Sequence, residues 1–377
     1  MITSVEFKNF RGLNDLKIPL SQATMLTGLN GVGKTSVLEG LYCLFSETML
    51  DVSPISRYSK SIDFFVNQSA NLPLGFAARQ SYNYKLFWDE CPSYEHTECS
   101  VSAKFDNNLS WTWKYKRAKL NDLDKNLIMN NSIPVDSSSD FALWNWSANG
   151  TAFDKKTHQP KKINNSFSRA QLLTPDYGLY FLPPEIKAAS ICKYLDFASI
   201  RLQPQKLSFQ TSKHLTEALK LINPHITDIR LTDIKSGLSV VLDDSQSITL
   251  GAIGNGAVTW VSALIAIFDV IETMKFYPHS DTPVIVLIDE MGAGIHYSIM
   301  LAVWKYISEF IKQNRNIQFV FTSHSDDCVR AYCETFYDMN ANVVRLHKTA
   351  VDNKIMCTEY SKDSFENIIN GDWEVRG

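Results

Sequence analysis

The residues Gly28-Leu-Asn-Gly-Val-Gly-Lys-Thr35 decide the fold of this chain, because they match the phosphate-binding pattern G-x-x-x-x-G-K-[ST] at every fixed position. The apolar run Ala23–Thr27 precedes them and predicts a buried strand. Ser36–Phe45 follows with the periodicity of a buried helix. Strand, glycine-rich loop and helix in this order are the context in which the pattern forms a nucleoside triphosphate site. A glycine-rich turn that contains Lys-Thr by chance is the alternative.

Each part of this loop has a predicted task. Backbone N–H groups of the loop and of the following helix N-terminus would face the phosphates, and the glycines permit the tight turn. Lys34 would reach the β and γ phosphates as a catalytic residue, and the Thr35 hydroxyl would hold Mg²⁺. The residues predicted to contact ATP from this loop are Asn30, Gly31, Val32, Gly33, Lys34, Thr35 and Ser36.

Composition indicates a cytoplasmic enzyme with a large core. The chain has 377 residues, of which 45% are hydrophobic and 20% charged, enough for two lobes or domains. Its net charge of −3 gives no general attraction to nucleic acid, so DNA contact would need a local basic patch. Seven cysteines, an odd number, indicate a reducing compartment. Met1–Phe10 alternates like a strand rather than a signal peptide, and no apolar run approaches the ~20 residues of a membrane span.

A pair of acids far downstream provides the expected partners of the loop. The apolar run Val284–Ile288 predicts a parallel strand buried on both faces, and Asp289 and Glu290 follow it directly. Ligands bind at this carboxyl edge in open α/β sheets. Asp289 would hold Mg²⁺, directly or through water, and Glu290 would polarise the water that attacks the γ-phosphate. In the alternative interpretation the two acids cap a helix N-terminus.

A second buried strand ends beside a histidine. The segment from Tyr297 to Asn314 has an apolar face typical of a core helix, and Ile317–Thr322 then predicts a buried strand. Ser323 and His324 follow this strand. At the carboxyl edge of the sheet, His324 would touch the γ-phosphate as a catalytic residue. A structural histidine is the alternative.

These motifs together resemble the ABC-type ATPase heads of the SMC, RecF and OLD group, and especially stand-alone bacterial AAA-family ATPases described as ATP/GTP phosphatases. The resemblance lies in Ile288–His296, Thr322–Ser325, the opening Val5–Gly12 and the ending Phe365–Arg376. It implies an α/β fold, an ABC-type P-loop NTPase head with a mixed central sheet, helices and an antiparallel β subdomain, split by a long insertion. The implied ligands are ATP and Mg²⁺.

Such a head should also carry a signature loop that completes the ATP site of a second subunit. The candidate is Leu250–Gly256, which precedes an apolar helix, and its predicted ATP contacts are Gly254, Asn255 and Gly256. Relatives often have a serine near the start of this loop and an acid between its last two glycines, where this chain has Gly251 and Asn255. A bare Gly/Asn turn is the alternative.

The order of the motifs divides the chain into three parts. Residues 1–45 and 206–377 would form the ATPase head, and residues 46–205 the insertion. Within the insertion, alternation predicts antiparallel strands at 99–105 and 109–117 with a turn at 106–108. Residues 121–140 and 147–168 are rich in Asn, Ser, Asp and Lys, which favours loops. Long heptads of the kind found in SMC coiled coils are missing from this sequence.

Two features of the insertion leave a choice between a binding role and a structural role. Aromatic and basic residues alternate between Trp111 and Arg117, so this segment would either stack on nucleotides or form an ordinary amphipathic strand with a basic edge. Cys91, His96 and Cys99 could ligate zinc, but three ligands without a nearby CxxC pair make a poor structural site.

The resemblance implies an ATPase that works as a head-to-head homodimer or larger assembly. Similar stand-alone ATPases occur in bacterial anti-phage systems such as PARIS and Septu. We therefore expect a sensor ATPase that controls a separate effector, such as a Toprim or HNH nuclease, and that a phage protein triggers. One alternative is a RecF-like repair or recombination ATPase that acts on DNA. Another is a scaffold that binds ATP without hydrolysing it. No membrane partner is expected.

Overall fold

The computed structural model of the protein describes residues 1–46, 96–119, 140–154, 159–172, 179–180, 191–195, 209–233, 237–276 and 284–371. Contacts divide the chain into two units, each assembled from separated segments. Unit 1 contains Met1–Leu20, Thr35–Ile191 and Lys348–Cys357, and unit 2 contains Ser21–Lys34, Cys192–His347 and Thr358–Gly377. The predicted boundary at 205/206 lies outside the described residues, so the three-part division remains a prediction.

A six-stranded sheet carries the strands that precede the predicted site residues. Its spatial order is β16-β15-β3-β14-β13-β9. Neighbouring strands are parallel from β15 through β3 and β14 to β13. The strand bounds are β3 Ala23–Thr27, β9 Ile191–Leu195, β13 Val284–Ile288, β14 Ile317–Thr322, β15 Ala341–Lys348 and β16 Ile355–Ser361.

Three of these strands have the bounds that the sequence predicts. All residues of β3, β13 and β14 are buried, as expected for parallel strands covered on both faces. A continuous apolar run identifies such a strand because neither face meets water.

The described helices of unit 2 include the one predicted from the apolar face between Tyr297 and Asn314. Their bounds are α2 Phe209–Leu219, α3 Leu250–Ile253, α4 Asn255–Phe276, α5 Tyr297–Gln313, α6 Asp326–Phe336 and α7 Phe365–Ile369, with a 3₁₀ turn at Lys362–Ser364. Trp304 of α5 shows how the stripe is used, since it is fully buried and packs edge-on against Phe321 and Tyr332 at centroid distances of 5.0 and 5.2 Å. A three-stranded antiparallel sheet completes this unit, with β10 Ile226–Asp233, β11 Gly237–Leu242 and β12 Ser247–Thr249.

Unit 1 is built on a seven-stranded antiparallel sheet in the order β2-β1-β4-β5-β6-β7-β8. The strands are β1 Ile2–Lys8, β2 Leu16–Pro19, β4 Glu98–Phe105, β5 Ser110–Lys119, β6 Asp140–Asp154, β7 Gln159–Leu172 and β8 Leu179–Tyr180. Helix α1, Lys34–Ser46, enters this unit from Thr35 onward. Its Gly40 packs closely on Phe7, because an added Cβ would lie 2.5 Å from the Phe7 ring.

The predicted loop at 147–168 is wrong where the structure describes it. Residues 147–154 and 159–168 lie in β6 and β7, which pair without interruption from Phe141↔Leu172 to Asp154↔Gln159. In the middle of β6, Trp146 is buried while its neighbours Asn145 and Ser147 are partly exposed. Polar composition therefore reflects a half-exposed strand here, and cross-strand pairing outweighs the low strand propensity of Asn. Residues 120–139 lie outside the described part of the chain.

The aromatic and basic segment on β5 is an amphipathic strand. Trp111, Trp113 and Tyr115 are 4%, 1% and 1% exposed, whereas Lys114 is exposed. Alternate residues of a strand point to opposite faces, so the aromatic rings lie in the core and the lysines on the other face. The nucleotide-stacking interpretation is therefore wrong for these three rings. The predicted β4 and β5 strands themselves are confirmed.

The described residues lack two kinds of feature, a cluster of metal ligands and a membrane-spanning helix. Within them, no group of three or more His, Cys, Asp or Glu residues could hold a metal ion, and Cys91 of the zinc alternative lies outside them. The described helices include none that is long and apolar enough to span a membrane.

Candidate nucleotide-binding site

The predicted site residues of unit 2 meet at one edge of the six-stranded sheet. Strands β3, β14 and β13 are parallel neighbours, and the glycine-rich loop, Ser323 and Asp289 each follow one of them directly. Ser323 donates a backbone hydrogen bond to Leu26 of β3 at 3.0 Å, which joins two of these strand ends. This edge is the ligand-binding side of parallel α/β sheets. The structure thus brings together segments that lie some 250 residues apart in the sequence.

The glycine-rich loop has a backbone that only glycine adopts readily. Gly28, Gly31 and Gly33 have φ angles of 131°, 78° and 90°. A Cβ on Gly28 would lie 2.2 Å from the backbone oxygen of Leu346, so no side chain fits there. A Cβ on Gly31 would meet no atom of the described residues within 4 Å. The loop is therefore pressed against β15 on one side and open on the other.

Lys34 folds back over this loop. Its Nζ donates to the carbonyl oxygens of Gly28 at 2.8 Å and Leu29 at 2.9 Å. Partial burial lowers the pKa of Lys34, while the charges of Asp289 and Glu290 act in the opposite direction and raise it. The ammonium group therefore lies in the field of both acids. Phosphate oxygens could replace the two carbonyl oxygens as acceptors without moving the lysine away from this edge.

Thr322 connects the two acids, a contact to which the sequence interpretation assigned no role. Its hydroxyl donates to Oδ1 of Asp289 and accepts from the backbone N–H of Glu290 at 2.7 Å. Its carbonyl oxygen accepts from Met291 N at 2.7 Å. The sequence could have indicated this contact. If β14 and β13 are parallel neighbours, the last residue of β14, Thr322, lies beside Asp289, which follows β13. Asp289 itself is 4% exposed, so it is a buried carboxylate that a hydroxyl holds in place.

Glu290 is exposed and has an unusual backbone. Its φ of 52° places a non-glycine residue in the left-handed region. Helix α5 begins only at Tyr297, where His296 is the N-cap and accepts from Ser298 N at 3.3 Å. The acids therefore do not cap this helix, and that alternative is wrong.

His324 is exposed in the short segment between β14 and α6. The residues on each side are fixed: Ser323 is buried, and Ser325 caps α6 by accepting from Cys328 N at 3.3 Å. His324 is thus held by its backbone at the same sheet edge as the glycine-rich loop. Its contact with a γ-phosphate remains a prediction.

Thr35 and Ser36 occupy the first turn of α1, directly after Lys34. Thr35 is exposed, and Asn30 in the loop is exposed as well, whereas Val32 is buried. The chain passes from unit 2 to unit 1 between Lys34 and Thr35. The predicted roles of Thr35 in Mg²⁺ binding and of Ser36 in ATP binding remain predictions.

The predicted signature loop joins α3 to α4. Gly254 has a φ of 129°, and a Cβ on it would meet no described atom within 4 Å. Gly256 is different, because it is buried and a Cβ there would lie 2.1 Å from the backbone oxygen of Gly294. The first glycine is therefore open to a ligand, while the second packs on the loop that follows the two acids. ATP contacts by Gly254, Asn255 and Gly256 remain predictions.

The residues at this edge fit Mg-ATP. Gly28 leaves no room for a side chain, Gly31 is open, and Lys34 places a cation beside the loop. Asp289 offers a buried carboxylate, the oxygen ligand that Mg²⁺ prefers. Asp289 would hold the ion, which when bound neutralises part of the phosphate charge.

Comparison with known proteins finds similarity to ATPases and to RecF. Residues 1–171 match the family model of an AAA ATPase domain. Over 43 residues the chain is 51% identical to DNA replication and repair protein RecF of Acholeplasma laidlawii, covering 11% of this chain and 12% of that protein.

The chain is similar to ATPases of the SMC and RecF group. A longer alignment of 389 residues gives 22% identity to an ATP/GTP phosphatase of Helicobacter pylori and covers 95% of this chain and 92% of that protein. The predicted group and the predicted ATPase activity are confirmed.

Solved structures of SMC heads also align with this ATPase. The SMC head domain from Thermotoga maritima is 10% identical and covers 96% of this chain and 99% of its own, with a TM-score of 0.41. An Smc head bound to the C-winged helix domain of ScpA is 14% identical, with coverages of 96% and 97% and a TM-score of 0.42. The described topology, which combines parallel strands, antiparallel sheets and helices, confirms the predicted α/β fold.

Proposed function

We propose that this ATPase hydrolyses Mg-ATP in composite sites formed when two copies engage head to head, and that the cycle controls a separate effector in bacterial anti-phage defence. One observation supports the proposal that two copies form composite sites. Among the described residues, glycine turns with an open side lie at Gly31 beside Lys34 and at Gly254 before α4. The first supplies a cation and acids, and the second supplies a helix N-terminus suited to a phosphate.

The proposed reaction assigns one task to each residue. Lys34, Thr35 and Asp289 hold Mg-ATP on one copy, and Gly254, Asn255 and Gly256 of the other copy close over the γ-phosphate. Glu290 accepts a proton from water, whose oxygen attacks the γ-phosphorus while the bond to the bridging oxygen of ADP breaks. His324 contacts the γ-phosphate. Release of phosphate then separates the two copies.

The substitution Glu290→Gln tests this cycle. It removes the proton acceptor but keeps the size of the side chain, so ATP affinity should be retained while turnover falls at least about a hundredfold. ATP should then hold the protein as a dimer or larger assembly, which light scattering after size-exclusion chromatography measures. Glu334→Gln is the control, since Glu334 is exposed on α6. Hydrolysis by Glu290→Gln at the wild-type rate would show that Glu290 has another role.

The defence role draws its support from the resemblance to stand-alone ATPases of anti-phage systems. A phage protein would be the trigger and a Toprim or HNH nuclease the effector, both in the cytoplasm. The test is phage infection of cells that carry the gene with its genomic neighbours, as wild type or as Glu290→Gln. Wild type should reduce plaque formation and the variant should not. Equal plaque numbers for both and for an empty vector would contradict a defence role.

A RecF-like role in DNA repair is the second candidate, and the 43-residue match to RecF favours it. It predicts that DNA stimulates ATP turnover and that the stimulation falls steeply as salt rises, because phosphate contacts release counterions. Turnover that is equal with and without duplex DNA at low salt would exclude it. The third alternative, a scaffold that does not hydrolyse ATP, disagrees with the ATPase assignment.

A further inference from the structure

The loop that carries the two acids is held from two sides within unit 2. From β14, Thr322 binds Asp289 and the backbone N–H of Glu290. From α6, the thiol of Cys328 donates to the carbonyl oxygen of Met291 at 3.2 Å. The residue that follows Glu290 is therefore fixed through both its N–H and its carbonyl group.

Close packing accompanies the thiol contact. Gly292 has a φ of 93°, and a Cβ on it would lie 2.9 Å from Cys328 Sγ. Cys328 is fully buried, and burial raises the pKa of its thiol to about 11. At neutral pH the thiol therefore keeps its proton and can serve as a donor.

Glu290 needs such support because of its backbone. A non-glycine residue in the left-handed region is disfavoured, and it persists only where the surroundings impose it. Each of the hydrogen bonds to Glu290 and Met291 contributes to that constraint. Cys328 also links this loop to the histidine segment, because its own N–H binds Ser325, the residue after His324.

We propose that Cys328 is a positioning residue for ATP hydrolysis, whose thiol holds the backbone of Met291 so that Glu290 is kept in the orientation that activates water. This inference rests on the proposed role of Glu290. It assigns to α6 a function beyond packing: the helix that follows His324 also sets the position of the acid.

The first test compares Cys328→Ala with Cys333→Ala. Cys333 is buried in the same helix five residues further on, about 140° around the helix axis, so its removal controls for lost packing. Cys328→Ala should lower kcat about tenfold while KM and the Kd for ATP change less than about twofold, since a small displacement of a catalytic group mainly affects the chemical step. Equal kcat values for the two alanine variants would overturn the inference.

Restoring the donor should restore the rate. Cys328→Ser keeps a hydrogen-bond donor, and we expect it to retain at least about half of the wild-type kcat. Cys328→Val fills the space without a donor, so its kcat should also be about tenfold below that of the wild type, and it replaces Cys328→Ala in the test if the alanine variant does not fold. If the serine variant were as slow as the valine variant, the hydrogen bond from residue 328 would not be what sets kcat, and the inference would be overturned.

A double variant separates this inference from the proposed function. If Cys328 acts through Glu290, then Cys328→Ala should lower the residual rate of Glu290→Gln less than about twofold. A further tenfold loss in that background would overturn the inference. Loss of turnover in Glu290→Gln with a normal rate in Cys328→Ala would overturn the positioning role alone. Normal turnover in Glu290→Gln would overturn both it and the role of Glu290.

Discussion

Single side chains set the electrostatics of the nucleotide site, beginning with Lys34. Its ammonium group donates to two carbonyl oxygens of its own loop and lies in the field of Asp289 and Glu290. Partial burial makes the charge costly without a strong acceptor nearby. ATP phosphates would supply that acceptor, so we predict that this lysine binds the substrate.

Replacing Lys34 should therefore weaken ATP binding. Lys34→Met keeps the aliphatic stem and removes the charge, and we expect the Kd for ATP to rise about tenfold to a hundredfold, the value of hydrogen bonds to a charged group. Titration with a fluorescent ATP analogue measures this. Lys305→Met, on the exposed face of α5, is the control and should bind as wild type. An unchanged Kd in Lys34→Met would contradict the predicted phosphate contact.

The same lysine predicts a pH dependence. Because the pKa of Lys34 is lowered from its ordinary value of 10.5, the charged fraction declines at a lower pH than for an exposed lysine. ATP affinity of the wild type should therefore fall as pH rises through that lowered pKa. Lys34→Met should lack this decline, which titrations at a series of alkaline pH values would reveal. Parallel declines in both proteins would mean that another group titrates.

Thr322 is predicted to stabilise the site through its hydroxyl. Thr322→Val leaves the N–H of Glu290 and one oxygen of Asp289 without this partner. We expect the free energy of unfolding to fall by about 1–3 kcal/mol, the cost of an unsatisfied buried polar group. Urea unfolding measures the change. Thr322→Ser keeps the hydroxyl and should lose less, and an equal loss in both variants would argue against the hydrogen bonds.

Sequence patterns identified most residues of the site but not the contacts between them. The glycine-rich loop and the acid pair were predictable because their chemistry fixes residue types at fixed spacing. Thr322 and Cys328 were not predictable in the same way, since a buried threonine and a buried cysteine are ordinary core residues. Their importance depends on which strand and helix lie beside the acids.

At the scale of elements, buried strands were predicted best. Strands β3, β13 and β14 match their predicted bounds because burial on both faces requires an unbroken apolar run. The hairpin of β6 and β7 was missed, since one exposed face gives it a polar composition that resembles a loop. The alternating residues of β5 allowed two interpretations, and only the burial of its aromatic rings decided between them.

The start of α4 gives a prediction about packing between elements. Gly256→Ala places a Cβ 2.1 Å from the backbone oxygen of Gly294, so the loop after the acids must move. We expect a loss of about 1–3 kcal/mol in unfolding free energy, typical of overpacking. Gly251→Ala is the matched control, because a Cβ there meets none of the described atoms within 4 Å and alanine favours a helix. Equal stability of the two variants would contradict the close contact.

At the scale of the whole molecule, the order of the motifs predicted a head whose parts are distant in sequence. The three-part division stays a prediction, and each of the two observed units combines separated segments. Assembly between copies cannot be deduced from one chain in the same way, because the residues that complete a composite site carry no signal of which copy they serve. The open turn at Gly254 is the structural feature that a second copy would use.

Mixing two inactive variants tests the composite site most directly. Lys34→Met disables the phosphate loop, and Gly254→Asp places a negative charge at the N-terminus of α4, where it would repel the γ-phosphate. Each variant alone should be inactive, although both should bind to each other and unfold at temperatures near that of the wild type. A dimer with one copy of each has one intact site, so an equal mixture should recover about a quarter of the wild-type ATPase rate for a symmetric dimer. A mixture no more active than the sum of its two components would contradict a site shared between copies.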